Sequence, residues 1–365
     1  MAYGTINADL MTTSDGVSSS GLYGFKNKII NGAMVINQRG FSGTVTTDGS
    51  YTLDRYVAFS VASSKFSVSQ NAGSVTPPVG FANYLGVTSL AATSLAAGDY
   101  YQICQRIEGY NMADLAWGTA NAKTVTLSFQ VYSSLTGTFG GSLQNGNQNR
   151  AYPFTYTISS ANTWTTISIT IAGSTDGTWS STNTEGIGLY FGLGVGTTYS
   201  GTAGAWTTTT KYSATGATSV VGTNGATFYL TGVQLEVGST ATSFDYRPYG
   251  TELALCQRYL PAFNAVGSSD TICSAYMQST TNMRGVFVHK VSTRVPPTGL
   301  TATASSTFQF SGTGGVGCSG SLTFLNSSTD SSFIQITTSA TTAGVGGQFA
   351  ANATPCQILF TGCEL

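Results

Sequence analysis

Residues 124–134, TVTLSFQVYSS, alternate apolar and polar side chains without a break. Val125, Leu127, Phe129 and Val131 fall on one side, and Thr124, Thr126, Ser128 and Gln130 on the other. A period of two built from β-branched and aromatic residues belongs to a strand with one buried face, because a helix returns its apolar residues every three or four positions. The texture recurs in KFSVSQ (65–70), FTYTIS (154–159), WTTISITIAG (164–173), GIGLYFGLGV (186–195) and ATFYLTGVQLEV (226–237). Clusters of Gly, Asn and Ser separate these segments, and 45 glycines suit the many tight turns such a chain needs. The cadence predicts an all-β protein, a sandwich or jelly roll.

Two segments before the second series read differently. IINGAMVI (29–36) suggests a strand interrupted by a turn or bulge at Asn31-Gly32, and GTFGGSLQNGNQN (137–149) a flexible loop. A further turn of helix is expected in GYNMADLAWG (109–118). The main helical segment is GTELALCQRYLPAF (250–263), with Leu253, Cys256, Gln257 and Leu260 at helical spacing, Thr251 as N-cap and Pro261 as stop. Beyond it, TICSAYMQS (271–279), RGVFVHKV (284–291), STFQFS (306–311), SLTFLNS (321–327), SFIQITTS (332–339) and CQILFTGCEL (356–365) form a second strand series. All four tryptophans precede the helix and five of the six cysteines follow residue 250, a shift in composition that marks a boundary. The expected order is a polar arm (1–26), a jelly roll (27–248), a linker with a short helix (249–262) and a second β-sandwich (263–365).

Charged residues make up 8% of the 365, against about 25% in ordinary proteins. The net charge of −1 provides no field to draw in nucleic acid or an anionic membrane. No apolar run approaches the length of a membrane span, and the N-terminus lacks the pattern of an export signal. The expectation is therefore no nucleic acid and no membrane insertion.

The inventory for catalysis is thin. His289 is the one histidine and sits in the alternating RGVFVHKV. No serine elbow is present, and the carboxylates are scattered with nothing to pair them, so no catalytic residue is assigned. No cysteines have zinc-ligand spacing; an oxygen-ligated Ca²⁺ at GSTDGTW (173–179) is conceivable, though Asp-Gly reads more simply as a turn, and neither metal nor cofactor is expected. Carbohydrate binding without chemistry is the expectation that remains, since sugars stack on aromatic rings while amides and hydroxyls bond their edges. Trp179 and Trp206, in turn-rich segments, are the candidate platforms, against the commoner fate of a sandwich tryptophan as core.

One stretch concentrates charge: TGVQLEVGSTATSFDYRPYGTELALCQRYL (231–260), with Glu236, Asp245, Arg247, Tyr249, Glu252 and Arg258. It reads as a last strand, an extended connector stiffened by Pro248 and a short helix. Its charges are expected to fix geometry at an inter-domain or subunit joint.

Three blocks resemble the tail-fibre proteins of tailed bacteriophages, particularly short-tailed phages of cyanobacteria and other aquatic bacteria. The first is MAYGTINADLMTTSDG. The second is KNKIINGAMVINQRG with YTLDRY (51–56), similar to the family's N-x-x-I-N-G-x-x-x-x-Q-R and Y-x-x-D-R-W, with Tyr56 in place of Trp. The third is the charged stretch, which follows G-V-Q-L-E-x-G-S-x-A-T-x-F-x-x-R-P-Y-x-x-E-L-x-x-C-Q-R-Y almost position for position. The likeness spreads over 1–260 and thins beyond, where Thr293 and Cys363 replace a family Met and Ala. It implies a homotrimeric virion tail fibre with a jelly roll similar to carbohydrate-binding modules, docked on tail or portal-associated proteins through the N-terminal arm. Such a protein would be made in the host cytoplasm and released by lysis, with free thiols. The distal domain would bind host surface glycan multivalently, with Tyr276, Arg284, His289 and Phe333 as candidate contacts. A decoration fibre without a receptor role and a polysaccharide depolymerase are the alternatives.

Overall fold

The computed structural model describes residues 25–312 and 314–365, which fall into two compact units, the first ending at Tyr249 and the second comprising Gly250–Leu365. The attachment arm expected over residues 1–26 lies outside the described residues, except for Phe25 and Lys26.

The strands of the first unit are β1 (Ser42–Thr44), β2 (Ser50–Tyr51), β3 (Tyr56–Ser60), β4 (Phe66–Gln70), β5 (Leu85–Ser89), β6 (Tyr100–Glu108) and β7 (Val125–Ser133). They continue with β8 (Gly137–Asn145), β9 (Ala151–Ile158), β10 (Thr165–Ile171), β11 (Glu185–Val195), β12 (Ser200–Gly201), β13 (Ser213–Ala214) and β14 (Thr227–Val237). Two six-stranded sheets result, in the orders β1-β4-β5-β14-β7-β10 and β2-β3-β6-β11-β8-β9. From β6 to β11 the chain repeatedly crosses between the sheets, which makes a jelly-roll sandwich. The apolar side of β7 faces inward: Phe129 meets Phe191 of the opposite sheet at 5.2 Å between ring centroids, edge to face. Each such fully buried side chain stabilises the fold by roughly 1.5–3 kcal/mol.

Two segments depart from expectation. IINGAMVI is an irregular buried segment with no strand in it, since Asn31 and Met34 take φ of 60° and 58°. Asn31 replaces a ladder with its side chain: Nδ2 donates to Ile36 O (2.8 Å) and Asp54 O (3.0 Å), and Oδ1 accepts from Ile36 N (2.9 Å). A Cβ on Gly32 would stand 2.2 Å from Val233 O, so only glycine fits there. GTFGGSLQNGNQN, expected as a flexible loop, contains β8, a buried strand between β9 and β11. Its small residues are a packing requirement, because a Cβ on Gly141 would lie 2.3 Å from Tyr190 O and 2.5 Å from the Phe154 ring.

α1 (Tyr249–Gln257) begins on the last residue of the first unit and otherwise belongs to the second; it starts three residues earlier than the Thr251 cap predicts, directly after Pro248, and stops short of Pro261. The strands of the second unit are β15 (Ala262–Asn264), β16 (Thr271–Met277), β17 (Asn282–Val288), β18 (Gly299–Ala302), β19 (Phe308–Ser311), β20 (Gly315–Ser327), β21 (Ser331–Thr338), β22 (Gly346–Ala351) and β23 (Gln357–Thr361). Where a second sandwich is expected, six strands close into a barrel in the order β16-β17-β21-β20-β19-β22, beside a three-stranded sheet β15-β23-β18. Closure removes the free edges that an open sheet would present. Met277, Met283, Phe308, Phe310, Ile334, Ile336 and Phe349 fill the interior. No helix among the described residues is long and apolar enough to cross a membrane.

Candidate functional site

The charged stretch divides between the two units. Glu236 accepts from Thr242 N (2.9 Å), Thr242 Oγ1 (2.6 Å) and Gln234 Nε2 (2.8 Å), with Lys26 Nζ at 3.9 Å. Asp245 accepts from Asn27 N at 3.2 Å. Arg247 donates to Ile29 O (3.0 Å) and to Asn27 O, and its guanidinium lies 5.5 Å from the centre of the Phe25 ring. These three therefore bind residues 25–29 of the same unit against β14. Tyr249 is exposed at the start of α1, where Glu252 is buried in the first turn, and Arg258 O accepts from Arg294 N at 2.9 Å.

Trp179 and Trp206, the candidate platforms, are half-buried. With Trp117 they make a triangle of edge-to-face rings, with centroids 4.8, 5.4 and 5.5 Å apart. Their indole N–H groups are taken by Asp176 O (3.1 Å) and Ala172 O (2.8 Å), so the cluster holds loops together. The calcium conceived at GSTDGTW loses its carboxylate, because Arg150 grips both oxygens of Asp176 at 2.8 and 2.9 Å and holds its carboxyl below the usual range. Among the described residues no three His, Cys, Asp or Glu gather to hold a metal.

Of the four receptor candidates, the barrel brings three together. Tyr276 and Arg284 are cross-strand partners on β16 and β17, and Phe333 of β21 pairs with Val286, two residues along from Arg284. All three point outward. His289 does not join them, being 6% exposed and packed against Phe287 and Phe360. Its Nδ1 lies 3.0 Å from Thr329 O, which can only accept, so Nδ1 carries the proton and Nε2 accepts from Ser332 Oγ at 2.9 Å. Burial pushes its pKa down, while the Thr329 carbonyl and Asp330 oppose that shift.

The six cysteines are buried thiols. Burial pushes the thiols of Cys273 and Cys318 up to about 12 and that of Cys363 to about 11, which removes the thiolate a nucleophile needs.

A cleft that motif reading does not reveal lies on the outward face of the β14-containing sheet. It measures about 370 Å³, within the range of roughly 300–1,000 Å³ for small-molecule sites. Ser128 and Gln130 of β7 and Thr166 and Ser168 of β10 supply its polar floor, each pair in cross-strand register. Thr166 Oγ1 donates to Gln130 Oε1 at 3.0 Å. The apolar wall is Phe81, Phe244 and Tyr246, mutually packed at 5.1, 4.8 and 5.6 Å. Gly232, at φ 61°, lets the Phe81 ring approach, since a Cβ there would sit 2.7 Å from its edge. Tyr246 is 57% exposed and is anchored by its hydroxyl, which donates to Gly80 O at 2.6 Å. The same face continues up β7 to Tyr132, which stacks on Tyr229 (5.2 Å, 7°) and meets Trp164 at 5.5 Å. None of the lining residues is Asp, Glu, His, Lys or Arg. Aromatic faces, a primary amide and several hydroxyls without charge suit a neutral polyhydroxylated ligand.

No protein-family model matches the chain, and no curated protein sequence matches it. Among solved structures, the enzymatically active domain of tailspike protein 4 of bacteriophage CBA120 aligns at 11% identity with a TM-score of 0.33, over 58% of this chain and 22% of its own length. A CBM4 structure aligns at 16% identity and TM-score 0.29, over 57% of this chain and 98% of its own. A family 11 carbohydrate-binding module from Clostridium thermocellum, in complex with a β-1,3-1,4-mixed-linked tetrasaccharide, aligns at 12% and 0.27, over 55% and 98%. At these scores the likenesses assign no site to this chain.

Proposed function

We propose that the protein is a saccharide-binding attachment protein of a virion, without enzymatic activity, of the trimeric tail-fibre kind that its sequence resembles. The uncharged cleft of the first unit carries the reading. Its floor offers donors and acceptors at the spacing of two paired strands, its wall offers aromatic faces, and no carboxylate, histidine, lysine or arginine lines it. Three copies on one particle raise avidity through effective concentration, so each cleft need bind only weakly. Docking on the tail through the N-terminal arm, recognition of host glycan and release with the virion by lysis belong to the same proposal.

Competition tests it. Purified full-length protein is expected to block adsorption of its phage to host cells and to release no reducing ends from host polysaccharide. Undiminished adsorption at saturating protein would contradict the attachment role, and released reducing ends would replace binding with hydrolysis.

A further inference from the structure

On the outer face of the barrel, β17 presents Arg284, Val286 and Val288 in alternation, with the exposed Lys290 following. Arg284 is the polar centre of this face. Its Nε donates to Gln335 Oε1 at 2.7 Å, and the guanidinium stands 5.9 Å from the centre of the Phe333 ring. These two contacts hold the guanidinium at the sheet surface while leaving its Nη groups without a partner among the described residues. Across the strand pair Tyr276, 42% exposed, is directly opposite Arg284, close enough for a bound ring to touch both. Neither Arg284 nor Lys290 is ion-paired with a described carboxylate. Asp270 is turned to Val266 N and Gly267 N, and Asp330 to Ser292.

A surface arginine without a carboxylate partner, beside the Phe333 ring and across the strand pair from Tyr276, is complementary to a planar anion on a ring-shaped ligand. The guanidinium fork takes both oxygens of a carboxylate in parallel hydrogen bonds, and the Tyr276 ring offers a face to the apolar side of a sugar. In a chain with so few charges, an outward-facing arginine without a carboxylate partner is a specific feature. We infer that the second unit carries a separate site for an acidic saccharide, a sugar bearing a carboxylate, with Arg284 as its anchor and Tyr276 as its platform. The inference rests on the saccharide-binding reading and adds a second site of opposite selectivity to the neutral cleft.

Affinity electrophoresis of the full chain through polygalacturonate, and through the same polymer with its carboxyls reduced to alcohols, tests the site. Wild type is expected to be retarded by the acidic polymer alone, less so as salt rises. Arg284→Gln should weaken retardation by about tenfold or more, as loss of a charged bidentate contact requires, with Arg284→Lys intermediate. Lys123→Gln, which removes an exposed charge from the first unit, should leave it unchanged. Equal retardation by both polymers, or an Arg284→Gln protein as retarded as wild type, overturns the acidic site while leaving saccharide binding standing. No retardation of wild type by either polymer overturns the acidic site and leaves the neutral cleft to its own test with host polysaccharide. A changed oligomer mass in Arg284→Gln would assign this face to a second copy of the chain and overturn the proposal.

Discussion

The side-chain amide of Asn27 completes the backbone of β14 where its pairing with β7 slips: Oδ1 accepts from Leu235 N at 3.0 Å. The register breaks between Thr231 and Gln234, and Asn27 Nδ2 fills the gap by donating to Val233 O at 3.0 Å. The same Oδ1 accepts from Ile29 N at 2.9 Å, so one residue joins the start of the described chain to the strand that ends the sandwich. Asn27→Ala removes all three bonds inside the fold and should destabilise the first unit by about 2–4 kcal/mol. Chemical denaturation followed by tryptophan fluorescence reports this unit alone, since all four tryptophans lie in it. An unchanged midpoint in the alanine variant would contradict the account of the bulge.

Tyr156 presents the opposite case. Its ring packs between Phe129 and Phe139 in the sandwich core, and its hydroxyl is buried with no hydrogen-bond partner among the described residues. Burial raises its pKa far above that of an ordinary tyrosine. Tyr156→Phe keeps the packing and removes the orphaned group, so it should stabilise the unit by about 1 kcal/mol. A loss of stability would mean that the hydroxyl has a partner in solution.

The buried thiols predict slow chemistry. Titration of native protein with a disulfide reagent at pH 8 should be slow for all six cysteines and go to completion on unfolding. Rapid modification of any cysteine in the folded protein would contradict its packing.

His289 gives the barrel a pH dependence of known sign. The folded pKa is depressed, so folding favours the neutral ring. Its contribution is complete above the unfolded value of about 6.5 and is lost as pH falls through the folded pKa. Melting of the second unit should therefore fall off below that pH, and His289→Gln should flatten this part of the profile. An identical acid limb in the variant would place the dependence elsewhere.

How much of this was legible in sequence depends on where the constraint lies. Period-two segments such as 124–134 and 226–237 became β7 and β14 because alternation records burial on one face. β8 left no such record, since both of its faces are covered and its glycines answer to Tyr190, Phe154 and Ser213, all distant in the chain. The motif blocks around Asn27, Asp54 and Arg247 are recognisable in sequence, yet their work appears only when folding brings them together: Gln38 bonds Asp54 at 2.6 and 2.7 Å, and Arg247 bonds Ile29. Half of the cleft was visible as the polar side of β7. Its aromatic wall, from Phe81, Phe244 and Tyr246, was not, because those residues come from loops more than 160 positions apart.

The central claim is that the uncharged cleft binds saccharide. Isothermal titration of purified host surface polysaccharide into wild type, Gln130→Ala and Thr166→Ala tests it most directly. Both side chains are partly exposed on the sheet surface, so both variants should fold normally and bind about tenfold more weakly, as the loss of one or two hydrogen bonds to ligand requires. Wild-type affinity in both variants would contradict the assignment.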